Sequence, residues 1–450
     1  MSWLAALYHG RRVVWRMSGQ LCRVRQDVEN GHSGLKGPRG DGSGRCVTTQ
    51  GPLRRLEKTG GMDAAAPAWQ ILEYRGRTGL EMLQADWQGL YAEMTLRTSF
   101  HAYDVQLAFV DHLMEAPDKL RCLALTDGQR VRAICLLETK VYRRLGLALR
   151  VWRLPHMPHS VVCDVLCPED EARRELIPAL VHHLLREPEG HRLFYLGPLP
   201  EDSRLWDGLR HLDHGRHCVD TAEGMHVVDC SKPLDELVPG LSKKSRTSLR
   251  KSRQRLDSLP GARFVTATSD TELGAEFETF LDLEASGWKG AQGSSIRLRP
   301  KCTDFFDALS RLHAAGDRCE INALYAEGRC IASELCVRTG SEYTALKIAY
   351  DESYSRVAPG LLLVSHTVER CCQDPGILRL NWVGASAWER RWHPDVVTLR
   401  RAYVGLGRWS GRPLIALLRF RLGPARHVAR WLRRERDRLK RRRADLQSSR

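Results

Sequence analysis

The stretch YTALKIAYDESYSRVAPGLLLVSHTVERCCQDPGILRLNWVGASAWERRW runs from Tyr343 to Trp392. It reads as strand, polar loop, Pro-Gly, amphipathic helix and second strand, the order that lets a parallel sheet present a helix N-terminus to an anionic ligand. The first strand ends near Ala349, the loop covers Asp351–Pro359, and beyond Gly360 the residues Leu361, Leu362, Val364 and Val368 recur at helical spacing. Proline at a helix start lacks an N–H that would be unpaired anyway, and glycine lets the backbone approach a ligand closely. Free N–H groups and the positive end of the helix dipole would then face a phosphate, with Arg356 adding charge. The same Pro-Gly pair also fits a plain helix-start turn.

Upstream, the spacing predicts helices near Leu273–Leu283 and Thr303–Ala314, then a hairpin of Ile321–Tyr325 and Cys330–Val337 turning at Glu327-Gly328. A similar order precedes it: a strand at Trp69–Tyr74, helices over Leu80–Met94 and Asp104–Met114, a hairpin of Leu123–Leu125 and Val131–Leu137, a strand through Trp152, a helix over Glu171–Leu185 and a strand at Leu193–Leu196. Gly128 and Gly328 lie 200 residues apart, and at that offset Val131 matches Ile331 and Leu137 matches Val337. Alternating helices and strands with one antiparallel hairpin per half indicate two similar mixed α/β domains, over 62–225 and 226–404.

The net charge of +16 is concentrated at the ends. Met1–Gly61 holds 11 Lys/Arg against 4 Asp/Glu, and Gly405–Arg450 holds 15 against 3, which leaves the body near −3. A near-neutral body argues against a nucleic-acid-binding core and leaves polyanion contacts to the termini. Gly31–Arg45 is Gly-rich and charged without periodicity, so residues 1–61 read as a disordered basic extension, and Met62 is a candidate start of the natural chain. The 14 cysteines are scattered without a CxxC pair, a pattern of reduced thiols rather than a disulfide framework or a metal site. No apolar run is long enough to span a bilayer, and the apolar residues near Met1 are broken by His9, Arg11 and Arg12, so the chain reads as cytoplasmic, or peripheral on a membrane's inner face.

Three further stretches carry candidate chemistry. In FLDLEASGWKG (Phe280–Gly290), Glu284, Trp288 and Lys289 come at a helix end beside two glycines. A carboxylate beside an indole there fits a base whose pKa is raised by burial, and equally a surface glutamate with a packing tryptophan. In Leu241–Leu256 three leucines stripe one helix face while basic residues fill the others, as for an anionic ligand or a solvated surface. In the 405–450 tail, Val428, Trp431, Leu432 and Leu439 share a helical face after the apolar Leu414–Leu422. That composition suits an interfacial helix on an anionic membrane, an RNA contact, or a solvated helix.

Taken together, FLDLEASGWKG, EGRCIASEL, YTALKIAYDESYSRVAPGLLL and NWVGASAWERRW resemble the bacterial GNAT-type acetyltransferases of the CelD (cellulose-biosynthesis) family. The resemblance is good over Leu241–Trp392 and weaker over Ala68–Gly240. That family is similar to the Fem-type peptidoglycan aminoacyltransferases in having two GNAT folds in tandem. It implies acyl transfer from acetyl-CoA or another acyl-CoA to an amine or hydroxyl, with no metal, and a place in polysaccharide or envelope metabolism. Carried over, the pantetheine arm lies between the strands Tyr343–Ala349 and Ile377–Val383, and the donor's phosphates lie on Ser353, Arg356, Pro359, Gly360 and Leu361 in the loop closing at Gly360. The resemblance makes Glu284 the base, Tyr350 or Tyr354 the acid and Lys347 a stabiliser of developing negative charge. It places Trp288, Lys289, Asn381, Trp388 and Trp392 at the substrate. The chain departs from the family at two points. Arg356 is followed by Val-Ala-Pro-Gly, which keeps one glycine of the phosphate signature, and Asn381 and Trp388-Glu389 replace the usual Asp and Tyr-Lys. Two alternatives stand beside the acyl-CoA reading. In one, an aminoacyl-tRNA donor is contacted by the basic helix Lys243–Arg255; in the other, the chain is a non-catalytic membrane-associated scaffold.

Overall fold

The computed structural model describes residues 69–423, apart from 96, 145–146, 158–163, 169–171, 223, 234–235, 238–240, 313–316, 387 and 408. The expected disorder of residues 1–61, the candidate start at Met62, and Val428, Trp431, Leu432 and Leu439 of the tail lie outside the described residues.

Two seven-stranded mixed sheets flanked by helices carry the fold. Their strands are β1 (Gln70–Arg75), β2 (Arg121–Thr126), β3 (Val131–Arg144), β4 (Leu147–Arg153), β5 (Leu193–Pro200), β6 (His217–Thr221), β7 (Met225–Asp229), β8 (Arg263–Ala267), β9 (Arg318–Ala326), β10 (Arg329–Thr339), β11 (Glu342–Tyr350), β12 (Arg379–Asn381), β13 (Asp395–Val397) and β14 (Leu399–Gly405). The first sheet runs β1-β2-β3-β4-β5-β14-β6, and the second, read from its far edge, runs β8-β9-β10-β11-β12-β7-β13. The pairing senses agree at every step. Antiparallel neighbours lead to one parallel pair, β4–β5 or β11–β12, and antiparallel neighbours follow.

The two halves are therefore tandem copies of one topology, as the order of elements in the sequence predicts. Each half gives its last strand to the other. β7 follows the edge strand β6 and enters the second sheet between β12 and β13, while β14 follows the edge strand β13 and enters the first between β5 and β6.

Burial explains which helices cover which faces. In Asp270–Ser286, Leu273, Phe277, Phe280 and Leu281 recur on one stripe and are buried with Leu346 and Ala349 of β11. The same cluster takes in Leu80, Trp87, Tyr91 and Phe109 from the helices after β1, so one apolar core joins both halves. The opposite face of the second sheet is covered by Pro359–Gln373, whose Val364 and Val368 pack on Tyr343 and Ala345. Under that helix lies a buried polar network. Asn322 Nδ2 donates to the Tyr343 hydroxyl at 3.0 Å, Arg370 Nη2 donates to the same oxygen and to Glu320, and the Thr367 hydroxyl donates to Glu334 at 2.8 Å. Buried polar groups need such partners, since an unpaired one costs about 1–3 kcal/mol.

Candidate active site

Helix Asp270–Ser286 starts with a capping box between Ser269 and Glu272 and ends at Gly287. Its apolar stripe, 273, 277, 280 and 281, continues at helical spacing to 284, so Glu284 stands where a leucine would be expected. Glu284 is 2% exposed, and a buried carboxylate is tolerated only when paired. The chain supplies the partners by doubling back. A short second helix, Trp288–Ala291, folds so closely that a Cβ on Gly290 would lie 1.7 Å from the Ala285 carbonyl oxygen. Only glycine permits that approach, which brings Lys289 Nζ to 3.0 Å from Glu284 Oε1.

The second ammonium comes from the sheet. β10 and β11 slip register between Leu335 and Cys336, a bulge that leaves Leu346 as the extra residue on β11. Side chains alternate along a regular strand, which would put Lys347 with Tyr343 and Ala345 under helix 359–373. The bulge turns it to the other face, where its Nζ lies 2.9 Å from Glu284 Oε1 and 5.8 Å from the centre of the Phe306 ring. The Ile296 N–H donates to Glu284 Oε2 at 2.8 Å. Burial alone would raise the Glu284 pKa, but Lys347, Lys289 and the Ile296 N–H outweigh it and bring it down to about 2. Burial lowers the Lys347 pKa, against the pull of Glu284.

β11 has an open edge at this point. It pairs in parallel with β12 only over Glu342–Thr344, opposite Arg379–Asn381, and then continues to Tyr350 while β12 stops. The expected second strand Ile377–Val383 is thus shortened to three residues, because Trp382 N–H donates to the His226 carbonyl and the chain turns away. Asp351 N–H donates to Ile331 of β10, so by alternation the peptide groups of Ile348 and Tyr350 face the open side. Lys289 Nζ fills part of it, donating to the Ile348 carbonyl at 3.0 Å. Among the described residues the first sheet has no unpaired stretch beyond its parallel pair: β4 ends at Arg153, where its pairing with β5 also ends.

At the far end of the open edge, helix 359–373 begins at Ala358, held in the left-handed region at φ 55°, with Pro359 at the first helical position. A Cβ on Gly360 would sit 3.1 Å from the Tyr350 ring, so Tyr350 packs on the helix start. Asp351 Oδ1 caps the loop, accepting from the Ser353 N–H at 2.9 Å and its hydroxyl at 2.6 Å. Ser353 and Arg356 are exposed there, and the Arg356 carbonyl accepts from Arg255 Nη1 at 2.6 Å, which attaches the basic helix Lys243–Asp257 to this loop. Leu361 N–H is used within the turn, donating to the Ala358 carbonyl at 3.0 Å.

The structure thus brings together Glu284, Lys289 and Lys347 at the open edge and places Tyr350, Ser353, Arg356, Pro359 and Gly360 along its continuation, with Trp288 half-buried beside Lys289. It separates the others. The Tyr354 hydroxyl accepts from Arg329 at 2.8 and 3.0 Å and donates to Glu327, in a cluster with Leu324 and Leu362 on the opposite face from Glu284. Trp388 and Trp392 pack with Tyr343 and Val368 on that opposite face as well. Asn381 braces the strand end, its Nδ2 donating to Glu342 at 3.2 Å and its Oδ1 accepting from the Val383 N–H at 2.8 Å.

One buried pair escaped sequence reasoning. His226 Nδ1 lies 2.6 Å from Glu389 Oε2, which also accepts from the Ser386 N–H at 2.7 Å, while Glu389 Oε1 is buried without a partner. Burial raises Glu389 to about 7 and lowers His226, so the two share a proton in neutral form. His226 lies in a strand without a strong local signal and 163 residues from its partner, so nothing in the sequence joins them.

Residues 243–392 match the family model described as acetyltransferase (GNAT) domain. No curated protein matches the chain. Among solved structures, it is similar to FemX (12% identity, TM-score 0.49, covering 74% of this chain and 98% of that one). It is also similar to L-PGS from Bacillus licheniformis (15%, TM-score 0.45, covering 75% and 96%). A third is a tandem GNAT protein from the clavulanic acid biosynthesis pathway (14%, TM-score 0.41, covering 75% and 99%).

Proposed function

We propose that this chain is an acyltransferase that takes an acyl group from an acyl-CoA, acetyl-CoA in the simplest case, and passes it to an amine or hydroxyl acceptor. The observation that carries the proposal is the open edge of β11 over residues 345–350, which lies within the GNAT-domain match and is bordered by two half-buried ammonium groups. An extended thioester arm needs backbone partners, and such an edge offers the Ile348 and Tyr350 peptide groups. The exposed Ser353 and Arg356 and the turn at Pro359-Gly360 lie where the strand leads into the helix, in reach of a donor's phosphates.

In this reading the reaction needs positive charge where the thioester carbonyl gathers negative charge, and Lys347 and Lys289 supply it. Glu284 then has a different part from the base that its position suggests. Oε1 already accepts two ammonium groups and Oε2 a backbone N–H, and a carboxylate held near 2 takes up no proton at neutral pH. It is the anchor that aims both lysines. In this reading Tyr350 returns a proton to the leaving thiolate from the other side of the strand, since its ring lies against Gly360 on the face covered by helix 359–373, opposite Glu284. A saccharide or cell-envelope acceptor is the finer reading that the resemblance to the CelD type supports.

The basic helix gives a second reading its own observation. Lys243, Lys244, Arg250 and Lys251 are exposed on a helix tied to the phosphate-side loop through Arg255, which suits the phosphates of CoA and equally the backbone of an aminoacyl-tRNA donor. Thermal-shift titration separates them, because a ligand that binds only the folded protein raises its melting temperature. Acetyl-CoA and longer acyl-CoAs are expected to raise it in proportion to the logarithm of concentration. No response at millimolar acyl-CoA, with a steeply salt-dependent response to tRNA, would overturn the acyl-CoA reading in favour of the other.

A further inference from the structure

The helix Gly411–Leu422 is apolar on two opposite faces. One is used within the fold: Leu414, Ile415, Leu418 and Leu422 pack on Val151, Leu193 and Cys218 of the first sheet. The other is open. Pro413, Ala416, Leu417 and Phe420 are exposed, and Trp409, just ahead of the helix, extends the same three-and-four spacing. Trp409 is 87% exposed, Phe420 59% and Leu417 54%, so three of the largest exposed apolar side chains of the described residues fall within twelve positions.

The charges around this stripe have one sign. At helical spacing Arg421 falls on one border of the stripe and Arg412 and Arg419 on the other. Arg412 Nε donates to Asp213 at 2.9 Å, and Arg419 Nη2 donates to the His214 carbonyl and, at 2.7 Å, to the His217 carbonyl. These contacts clamp the helix with its second apolar face outward. Gly405–Gly423 contains four arginines and no acidic residue, and the 27 residues that follow add eleven Lys/Arg against three Asp/Glu.

A protein groove would cover such a stripe as well as a bilayer would, but it would not call for an unbroken excess of cations over forty-six residues, Gly405–Arg450. An anionic lipid surface calls for both: apolar and aromatic side chains at the headgroup boundary, and basic residues at the phosphates. We propose that Trp409, Leu417 and Phe420 form a membrane-docking face that seats this chain peripherally on an anionic bilayer. Among the described residues no helix is long and apolar enough to cross a membrane, so the contact is with the surface.

The test uses the full chain and sedimentation with vesicles of phosphatidylcholine, alone or mixed with phosphatidylglycerol. The protein is expected to pellet with the mixed vesicles and to stay in solution with pure phosphatidylcholine. The triple variant Trp409→Ser, Leu417→Ser, Phe420→Ser is expected to lose about tenfold or more in vesicle affinity, since it gives up the apolar part of the contact. Because these side chains are exposed, its melting temperature should stay at the wild-type value, which separates lost docking from lost folding. Three results would overturn the proposal: no pelleting of the wild type, equal affinity of the triple variant, or a change in the variant's oligomeric state by light scattering, which would assign the face to a second copy of the chain. The vesicle readout does not depend on acyl-CoA binding, so the two proposals stand or fall separately.

Discussion

Replacing Glu284 by glutamine tests the centre of the candidate site, because it removes one negative charge and little volume. The carboxylate holds two ammonium groups at 2.9 and 3.0 Å from one oxygen. Its fall from the ordinary 4.5 to about 2 corresponds to about 3 kcal/mol of preference for the charged form in the folded state. That agrees with the ~3–5 kcal/mol expected when a buried ion pair loses one partner. In a body of this size the melting temperature should fall by roughly 4–7 °C near neutral pH. The pH dependence follows from the direction of the shift. A carboxylate whose folded pKa is depressed contributes stability that is fully present above the unfolded pKa, 4.5, and is lost as pH falls towards about 2. By pH ~3.5 about 1.4 kcal/mol of it should be gone. The gap in melting temperature between wild type and Glu284→Gln should therefore narrow on acidification, and taking the difference cancels the other carboxylates that titrate in the same range. Calorimetric melts of both proteins from pH 7 down to ~3.5 provide the assay. A gap below about 1 °C at neutral pH, or a gap that stays constant on acidification, would refute the claim that Glu284 anchors the two lysines.

Two further outcomes follow from the geometry. Gly290→Ala should lower stability by about 2 kcal/mol or more in urea unfolding, since its Cβ would meet the Ala285 carbonyl at 1.7 Å. Gly274→Ala, in the same region but with nothing within 4 Å of its Cβ, should instead leave stability unchanged or raise it by up to ~1 kcal/mol; equal effects of the two would contradict the account. Burial raises Glu389 to about 7, so its favourable contribution is complete below pH 4.5 and is lost as pH rises to about 7. Wild type should lose stability against Glu389→Gln over that window, and parallel melting curves would argue against a buried, proton-sharing pair with His226.

The tandem topology was legible because it rests on long periodic segments. The hairpins at Gly128 and Gly328 and the helices at 172–186, 270–286 and 359–373 all stand where periodicity puts them. The short strands β6, β7, β13 and β14 were not legible, since segments of three to seven residues carry little pattern and their partners lie in the other half of the chain. Within the site, Glu284, Lys289 and Lys347 could be nominated from the sequence, but their meeting could not. It depends on the bulge at Leu346, which turns Lys347 over, and on the close turn at Gly290, which returns Lys289. The Ile296 N–H and the Ile348 carbonyl are backbone groups, and a sequence does not single out which peptide group has lost its neighbour strand. Tyr354, Trp388 and Trp392 read as site residues because they flank the right motifs, yet the sheet lies between them and Glu284.

The exchange of β7 and β14 bears directly on the open edge. The segment between β12 and β14 is anchored in the second sheet at Asn381 and in the first at Leu399, so both of its ends are fixed. Within it Val383 is held at φ 63° and His393 at φ 48°, a region that costs a β-branched residue about 1–3 kcal/mol and survives only where surrounding contacts dictate it. Those contacts are present. Trp382 N–H donates to the His226 carbonyl, His226 N–H to the Gly384 carbonyl, Val383 N–H to Asn381, and the His226 ring closes on Glu389. Every one of them either involves β7, the strand received from the first half, or braces the end of β12. The Val383 side chain packs against the cluster that holds Leu346 and Ala349 of β11, so the strained turn borders the gap it helps to open. β12 is short because the borrowed strand captures the chain immediately after Asn381. The same capture keeps β11 unpaired over 345–350, and among the described residues the first sheet lacks the equivalent stretch because β4 ends at Arg153 together with its pairing to β5.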